Sequence, residues 1–162
     1  MDTTKCACLV GGKPCKKRAQ SDTFRCWSHK DRTLFYVLEN EGKAYVGKSM
    51  NVLDRIEKHD NKHVVKHNLT TLVRIGEMRD RHYENTITNE SMYKYGINNV
   101  RGGRYSTDVI FENTQKDIAW MLGDEYDMCG FCGEPNQRHS KQWCPNPSGA
   151  LAKFRKPLSE RI

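Results

Sequence analysis

Seven cysteines lie in two groups at the ends of the 162-residue chain, and none falls between Cys26 and Cys129. The odd count rules out complete internal pairing, and the groups include histidines at ligand-like spacing, so metal binding is the leading reading. The C-terminal group reads CGFCGEPNQRHSKQWC. Cys129 and Cys132 can clamp one side of a tetrahedral ion, and His139 and Cys144 close it on the returning chain. Gly130 and Gly133 permit the tight turns such a knuckle needs, and Pro145 stiffens its exit. Four protein ligands leave no open position, so a structural zinc is expected. Phe131 and Trp143 either stack on unpaired bases or cover the metal. The N-terminal group reads CACLVGGKPCKKRAQSDTFRCWSH, in which Cys15, Cys26 and His29 are spaced for ligation and the fourth ligand is Cys6 or Cys8. Lys13, Lys16, Lys17, Arg18 and Arg25 surround these ligands, and a metal-pinned loop would gather them into a phosphate-binding face.

The charge follows the same division. Residues 1–33 carry a net +5, residues 34–128 carry −2 and residues 145–162 carry +3, within a total of +7. A polyanionic partner would be gripped mainly by the ends. No apolar run reaches the length of a membrane span, and the first residues hold no signal-peptide h-region, so a non-secreted, cytoplasmic protein is expected.

Between the cysteine groups, the runs LFYVL (34–38) and AYVGK (44–48), joined through Gly42, predict a hairpin. A helix is expected from Met50 to about His59, with Asn51 as cap and Val52, Leu53 and Ile56 on one face. LTTLVRIGEM (69–78) predicts a third strand. Asp80 can cap a second helix that runs to about Tyr95 and ends at Gly96. Asn113 or Thr114 can cap a third, with Ile118, Met121 and Leu122 facing inward. The expected class is α+β: a small sandwich of helices on a three-stranded antiparallel sheet.

This order and these residues resemble the GIY-YIG nuclease family over residues 34 to about 144. The motif tyrosines match Tyr36 in Leu34-Phe35-Tyr36 and Tyr45 in Tyr45-Val46-Gly47. Arg55 follows Gly47 by eight residues, His59 lies one helical turn later, Glu84 falls on the second helix and Asn99 at the later Asn position. YGINNVRGGRY (95–105) looks like the Val-Arg-Gly-Gly motif of a viral and protist branch, whose members often end in a zinc knuckle. Leu34 and Phe35 replace the Gly-Ile of the first motif, and the spacer to the second Tyr is short. The C-terminal group resembles a retroviral-type zinc knuckle, with a longer gap before its His. The N-terminal group resembles a small viral and phage zinc-finger type whose first ligand spacing favours Cys6.

The resemblance implies an endonuclease dependent on Mg²⁺ or Mn²⁺, with two structural Zn²⁺ and nucleic acid as partner, DNA favoured, in a monomer or homodimer (host cytoplasm if viral or phage). It implies Tyr36 as general base on water, Tyr45 as hydrogen-bond partner of the attacking water or positioner of Tyr36, and Arg55 on the non-bridging phosphate oxygens. His59 would contact the same phosphate or relay a proton. Glu84 would hold the divalent ion, with Glu77 and Glu90 as alternatives. Lys48, Asn99, Arg101 and the Lys16-Lys17-Arg18 run are the expected nucleic-acid contacts; Arg101, Gly102 and Gly103 form either a phosphate-binding turn or a tight packing loop. His63, His67 and His82 read as surface residues. The expected modules are an N-terminal zinc-binding module (1–32), the nuclease domain (33–125), a C-terminal zinc knuckle (126–148) and a basic tail (149–162). The competing reading is a non-catalytic, zinc-dependent nucleic-acid-binding protein on the same scaffold.

Overall fold

The computed structural model describes residues 5–20, 23–135, 141–144, 146 and 149–161. Its centre is a four-stranded sheet. Strands β1 (Leu9–Val10) and β2 (Lys13–Pro14) form a separate small hairpin near the N-terminus. The main sheet contains β3 (Leu34–Asn40), β4 (Lys43–Ser49), β5 (Thr71–Glu77) and β6 (Val100–Gly102), in the order β5-β3-β4-β6. β3 pairs antiparallel with β4 and β5, whereas β6 lies parallel to β4.

The expected three strands are present, and β6 adds a fourth. β6 has only three residues, too few for a period-2 pattern. What admits it is close approach: a Cβ on Gly102 would stand 2.4 Å from the Val46 carbonyl oxygen. The β3–β4 hairpin turns through Glu41 (φ 48°) and Gly42 (φ 74°), the paired positive dihedrals of a type I′ turn.

The helices are α1 (Val52–Glu57), α2 (Lys62–Lys66), α3 (Tyr83–Tyr95), α4 (Glu112–Glu125) and α5 (Gly149–Phe154). α1 is shorter than its pattern predicts, and Asn51 stands at its cap position without a side-chain cap bond. α2 is not legible in the sequence. Asn61 caps it by accepting from the His63 N–H at 3.0 Å. Asp80 accepts from the His82 N–H at 2.7 Å one turn before α3, and Gly96 ends that helix at φ 93°. α4 begins before Asn113, and its Ile118 and Leu122 are buried while Met121 is partly so. The segment expected to be a basic tail contains α5, whose Phe154 is fully buried. No helix among the described residues is long and apolar enough to cross a membrane.

Strand alternation sorts the core into two faces. Phe35, Val37, Ala44 and Val46 pack with α3, α4 and α5 through Ile87, Met92, Ile118, Leu122 and Phe154. Leu34, Tyr36, Leu38 and Tyr45 face the other way, onto Val52, Val64 and Leu69. Cys6, Cys8, Cys15 and Cys26 belong to this second cluster, so the N-terminal cysteine group shares its apolar packing with Tyr36 and Tyr45.

Candidate functional site

The tyrosine site is built on neighbouring strands. Tyr36 pairs with Gly47 across β3–β4, and a Cβ at Gly47 would stand 2.5 Å from the Tyr36 ring and hydroxyl and 2.9 Å from the Tyr45 ring. The missing side chain is therefore the space that the phenol occupies. Tyr36 is 1% exposed, and its ring centroid lies 6.4 Å from that of Tyr45. His59, just beyond α1, stands edge-on to Tyr45 at 4.6 Å and places Nε2 3.1 Å from the Tyr36 hydroxyl. The Arg55 charge acts on the same phenol, and Arg55 pairs with the exposed Asp60 at 3.5 Å. Glu84, in the first turn of α3, is ion-paired with Lys48 of β4 at 3.1 Å, and its charge acts on both tyrosines. Five expected residues, Tyr36, Tyr45, Arg55, His59 and Glu84, thus meet, with Lys48 beside them.

Burial pushes the Tyr36 phenol up to about 12; Tyr45 and Glu84 reinforce the rise, and Arg55 opposes it without winning. Burial raises Tyr45 as well, against Arg55. Burial and then Arg55 lower the His59 imidazole. Desolvation of a nearly inaccessible phenolate thus outweighs the guanidinium, and the cation beside Tyr36 does not by itself make it a ready base. Glu84 offers hard oxygen donors, and among the described residues no group of three ligand-type side chains forms around it. One carboxylate suits a divalent ion that keeps several of its own waters, and such an ion would displace the Lys48 ammonium now paired with it.

The other carboxylate alternatives have different work. Glu77 accepts from the Leu9 N–H at 2.7 Å and from Arg32 at 2.8 Å, which docks the N-terminal hairpin on β5. Glu90 pairs with Arg74 at 2.6 Å.

Several expected nucleic-acid contacts are internal. Arg101 is 6% exposed and donates to the carbonyls of Ile97, Asn98, Val100 and Asp108. It pins the chain around β6 and is not free for phosphate, which corrects the expected role. Gly102 and Gly103 accordingly form the packing loop: a Cβ on Gly103 would stand 2.3 Å from the Asn85 side-chain oxygen. Asn99 accepts from Lys43 and donates to the Tyr95 carbonyl at 2.8 Å, a structural arrangement. Arg25, expected on the basic face, is buried and donates to the carbonyls of Lys30 and Arg32. Lys13, Lys16, Lys17 and Arg18 remain exposed. His63, read as a surface residue, is 2% exposed.

Both cysteine groups are assembled. The ligand atoms of Cys6, Cys15, Cys26 and His29 all lie within 4.8 Å of one another. The Cys6 and Cys26 sulfurs are each 3.4 Å from His29 Nδ1, and the Cys15 and Cys26 sulfurs are 4.0 Å apart. Tetrahedral zinc bonds would give edges of about 3.6 Å for S···N and about 3.8 Å for S···S. The open choice between Cys6 and Cys8 falls to Cys6, while Cys8 is buried beside the group. Cys129, Cys132 and Cys144 likewise gather within 4.8 Å; His139 lies outside the described residues. These two groups could each hold a metal ion. Phe131 packs against the three sulfurs, whereas Trp143 is 80% exposed and does not cover them.

Sequence reasoning missed Asn61, which donates its backbone N–H to His59 Nδ1 at 3.3 Å and its side-chain amide to the Ser106 carbonyl at 3.1 Å. Its only sequence signal is an Asn two residues after a candidate catalytic His. No family model, curated protein or solved structure matches the chain.

Proposed function

We propose that the protein is a divalent-metal-dependent endonuclease of the GIY-YIG type that hydrolyses phosphodiester bonds in nucleic acid, DNA favoured, with two structural zinc modules that help to bind the substrate. The observation that carries this reading is the meeting of Tyr36, Tyr45, Arg55, His59 and Glu84 at the sheet, drawn from four separate elements or their ends.

Phosphodiester hydrolysis needs an activated water, charge stabilisation at phosphorus and help for the leaving oxygen. Arg55 binds the non-bridging oxygens, where a rigid guanidinium suits a phosphate. Tyr36 accepts a proton from the attacking water, and Tyr45 and His59 hold the Tyr36 ring in place. Glu84 would hold the divalent ion, with Lys48 released toward the substrate backbone. When bound, that ion supplies positive charge that favours the phenolate and neutralises the leaving oxygen. The exposed Lys16, Lys17 and Arg18 contribute phosphate contacts.

A non-catalytic binding protein is the second reading. The Lys48–Glu84 ion pair and the raised Tyr36 phenol favour it. Incubation of purified protein with plasmid DNA and with RNA, in Mg²⁺ and in EDTA, separates the two. Cleavage in Mg²⁺ that EDTA stops, and that Glu84→Ala and Arg55→Ala abolish without unfolding, is expected. Binding without cleavage of either nucleic acid would establish the second reading.

A further inference from the structure

His59 lies between two partners, and they specify where its proton sits. On one side the Asn61 backbone N–H points at Nδ1 from 3.3 Å. A backbone N–H is only a donor, so Nδ1 must offer its lone pair, and the proton of a neutral ring must sit on Nε2. On the other side Nε2 is 3.1 Å from the Tyr36 hydroxyl. Burial and the Arg55 charge lower the imidazole pKa, which keeps the ring neutral to lower pH than an ordinary histidine.

We propose that Asn61 is a positioning residue whose backbone N–H commits His59 to the Nε2–H tautomer, so that His59 donates a hydrogen bond to Tyr36 and cannot receive its proton. The phenol oxygen has two lone pairs and one O–H. His59 Nε2–H takes one lone pair, and the Arg55 guanidinium, whose charge acts on the same phenol, carries only donors. Neither neighbour can then accept the hydroxyl proton. When that proton leaves, the phenolate keeps the His59 N–H donor and the nearby Arg55 charge, and presents a free lone pair to water. In the hydrolytic step the water O–H bond breaks, the proton passes to the phenolate, the water oxygen bonds to phosphorus, and the bond from phosphorus to the leaving sugar oxygen breaks, that oxygen taking up a proton from solvent. His59 carries the same proton throughout. This replaces the proton-relay role that the sequence left open for His59.

Asn61 is held for this work at both ends. Its side-chain oxygen caps α2 and its side-chain amide ties to the Ser106 carbonyl, so the loop between α1 and α2 cannot drift from the loop that follows β6. Its φ of −65° is the value a proline ring imposes. Asn61→Pro therefore removes the N–H at a compatible dihedral, whereas Asn61→Ala removes the side chain and keeps the N–H.

The role of Asn61 in catalysis rests on the nuclease reading, but the tautomer does not. The first measurement is made on the full-length wild-type protein: ring ¹⁵N shifts of His59 at pH 8, assigned by their loss in His59→Gln. A ring protonated at Nε2 alone is expected. A mixture of tautomers, or a proton on Nδ1, would overturn the proposal whether or not the protein cleaves nucleic acid. The second measurement compares the two Asn61 variants, with folding checked by circular dichroism. Asn61→Pro should mix the tautomers and lower kcat by about tenfold at unchanged KM, while Asn61→Ala keeps the pure Nε2–H form. A folded Asn61→Pro variant that retains pure Nε2–H would also overturn it. Should the proline variant unfold, the wild-type shifts still decide.

Discussion

Gly47→Ala places a methyl group where the Tyr36 phenol now lies. The new Cβ would be 2.5 Å from both Cζ and the hydroxyl oxygen of Tyr36 and 2.9 Å from Cε1 of Tyr45. An ordinary carbon contact is about 3.5–4.0 Å, so the phenol must retreat by about 1 Å. It has nowhere easy to go, because Tyr36 is 1% exposed and its ring is packed among Leu34, Tyr45 and Val52. Overfilling of such a site costs about 1–3 kcal/mol. For a chain of this length, each kcal/mol lowers the melting midpoint by about 2–4 °C. The functional loss should exceed the loss of stability. A displaced hydroxyl forfeits its 3.1 Å contact with His59, and a misplacement of about 1 Å in a reacting group can cost about a hundredfold in rate. Gly42→Ala is the control: its φ is +74°, so a side chain is strained there, but no atom stands within 4 Å of the new Cβ. It should cost about 1 kcal/mol and leave cleavage unchanged. Thermal melts and cleavage assays on both variants test this. If Gly47→Ala melted and cut as wild type does, the tight cradle around Tyr36 would be refuted.

Three further outcomes follow from other sites. Glu77→Ala leaves the Leu9 N–H without its acceptor and frees Arg32, so the N-terminal hairpin should detach locally; about 1–3 kcal/mol is expected, read by earlier hydrogen exchange in residues 5–20 before the sheet opens. His63 is buried, and desolvation followed by Arg101 and His67 pushes its pKa down to about 4. The unfolded chain takes up that proton from about pH 6.5 downward while the folded chain refuses it until about pH 4, so stability is intact above 6.5 and falls across this window by about 3 kcal/mol. His63→Leu should flatten that acid limb in a melt series, and an unchanged limb would remove His63 as its cause. Elemental analysis should find about two zinc ions per chain, and Cys132→Ser should release one of them and weaken nucleic-acid binding; a value near zero would overturn the metal reading of the cysteines.

Much of the main sheet was readable because its elements are long enough to carry a period. β3, β4 and β5 each have seven residues, enough for their β-prone runs to stand out, while the division of those residues between two faces came from the fold. α3 announced itself through Asp80 before it and Gly96 after it. The elements that escaped are short: α2 has five residues, β6 three and α5 six, and each is held by tertiary contacts instead of its own pattern. Among the site residues, chemical type was visible and environment was not. Arg101 and Arg25 look like any other arginines in the sequence, yet each is consumed by backbone carbonyls.

Residue type and spacing alone therefore determined that two cysteine groups able to hold metal ions flank an α+β middle segment, and that a phenol, a guanidinium and a carboxylate are available to it. Only the folded chain decided which of several chemically equivalent groups do which work: Cys6 over Cys8, and Glu84 with the tyrosines while Glu77 docks a hairpin. It also decided that Tyr36 is too well buried for Arg55 alone to ionise. The physical reason is that ligation, desolvation and hydrogen-bond satisfaction depend on distances between residues far apart along the chain, which local pattern does not encode.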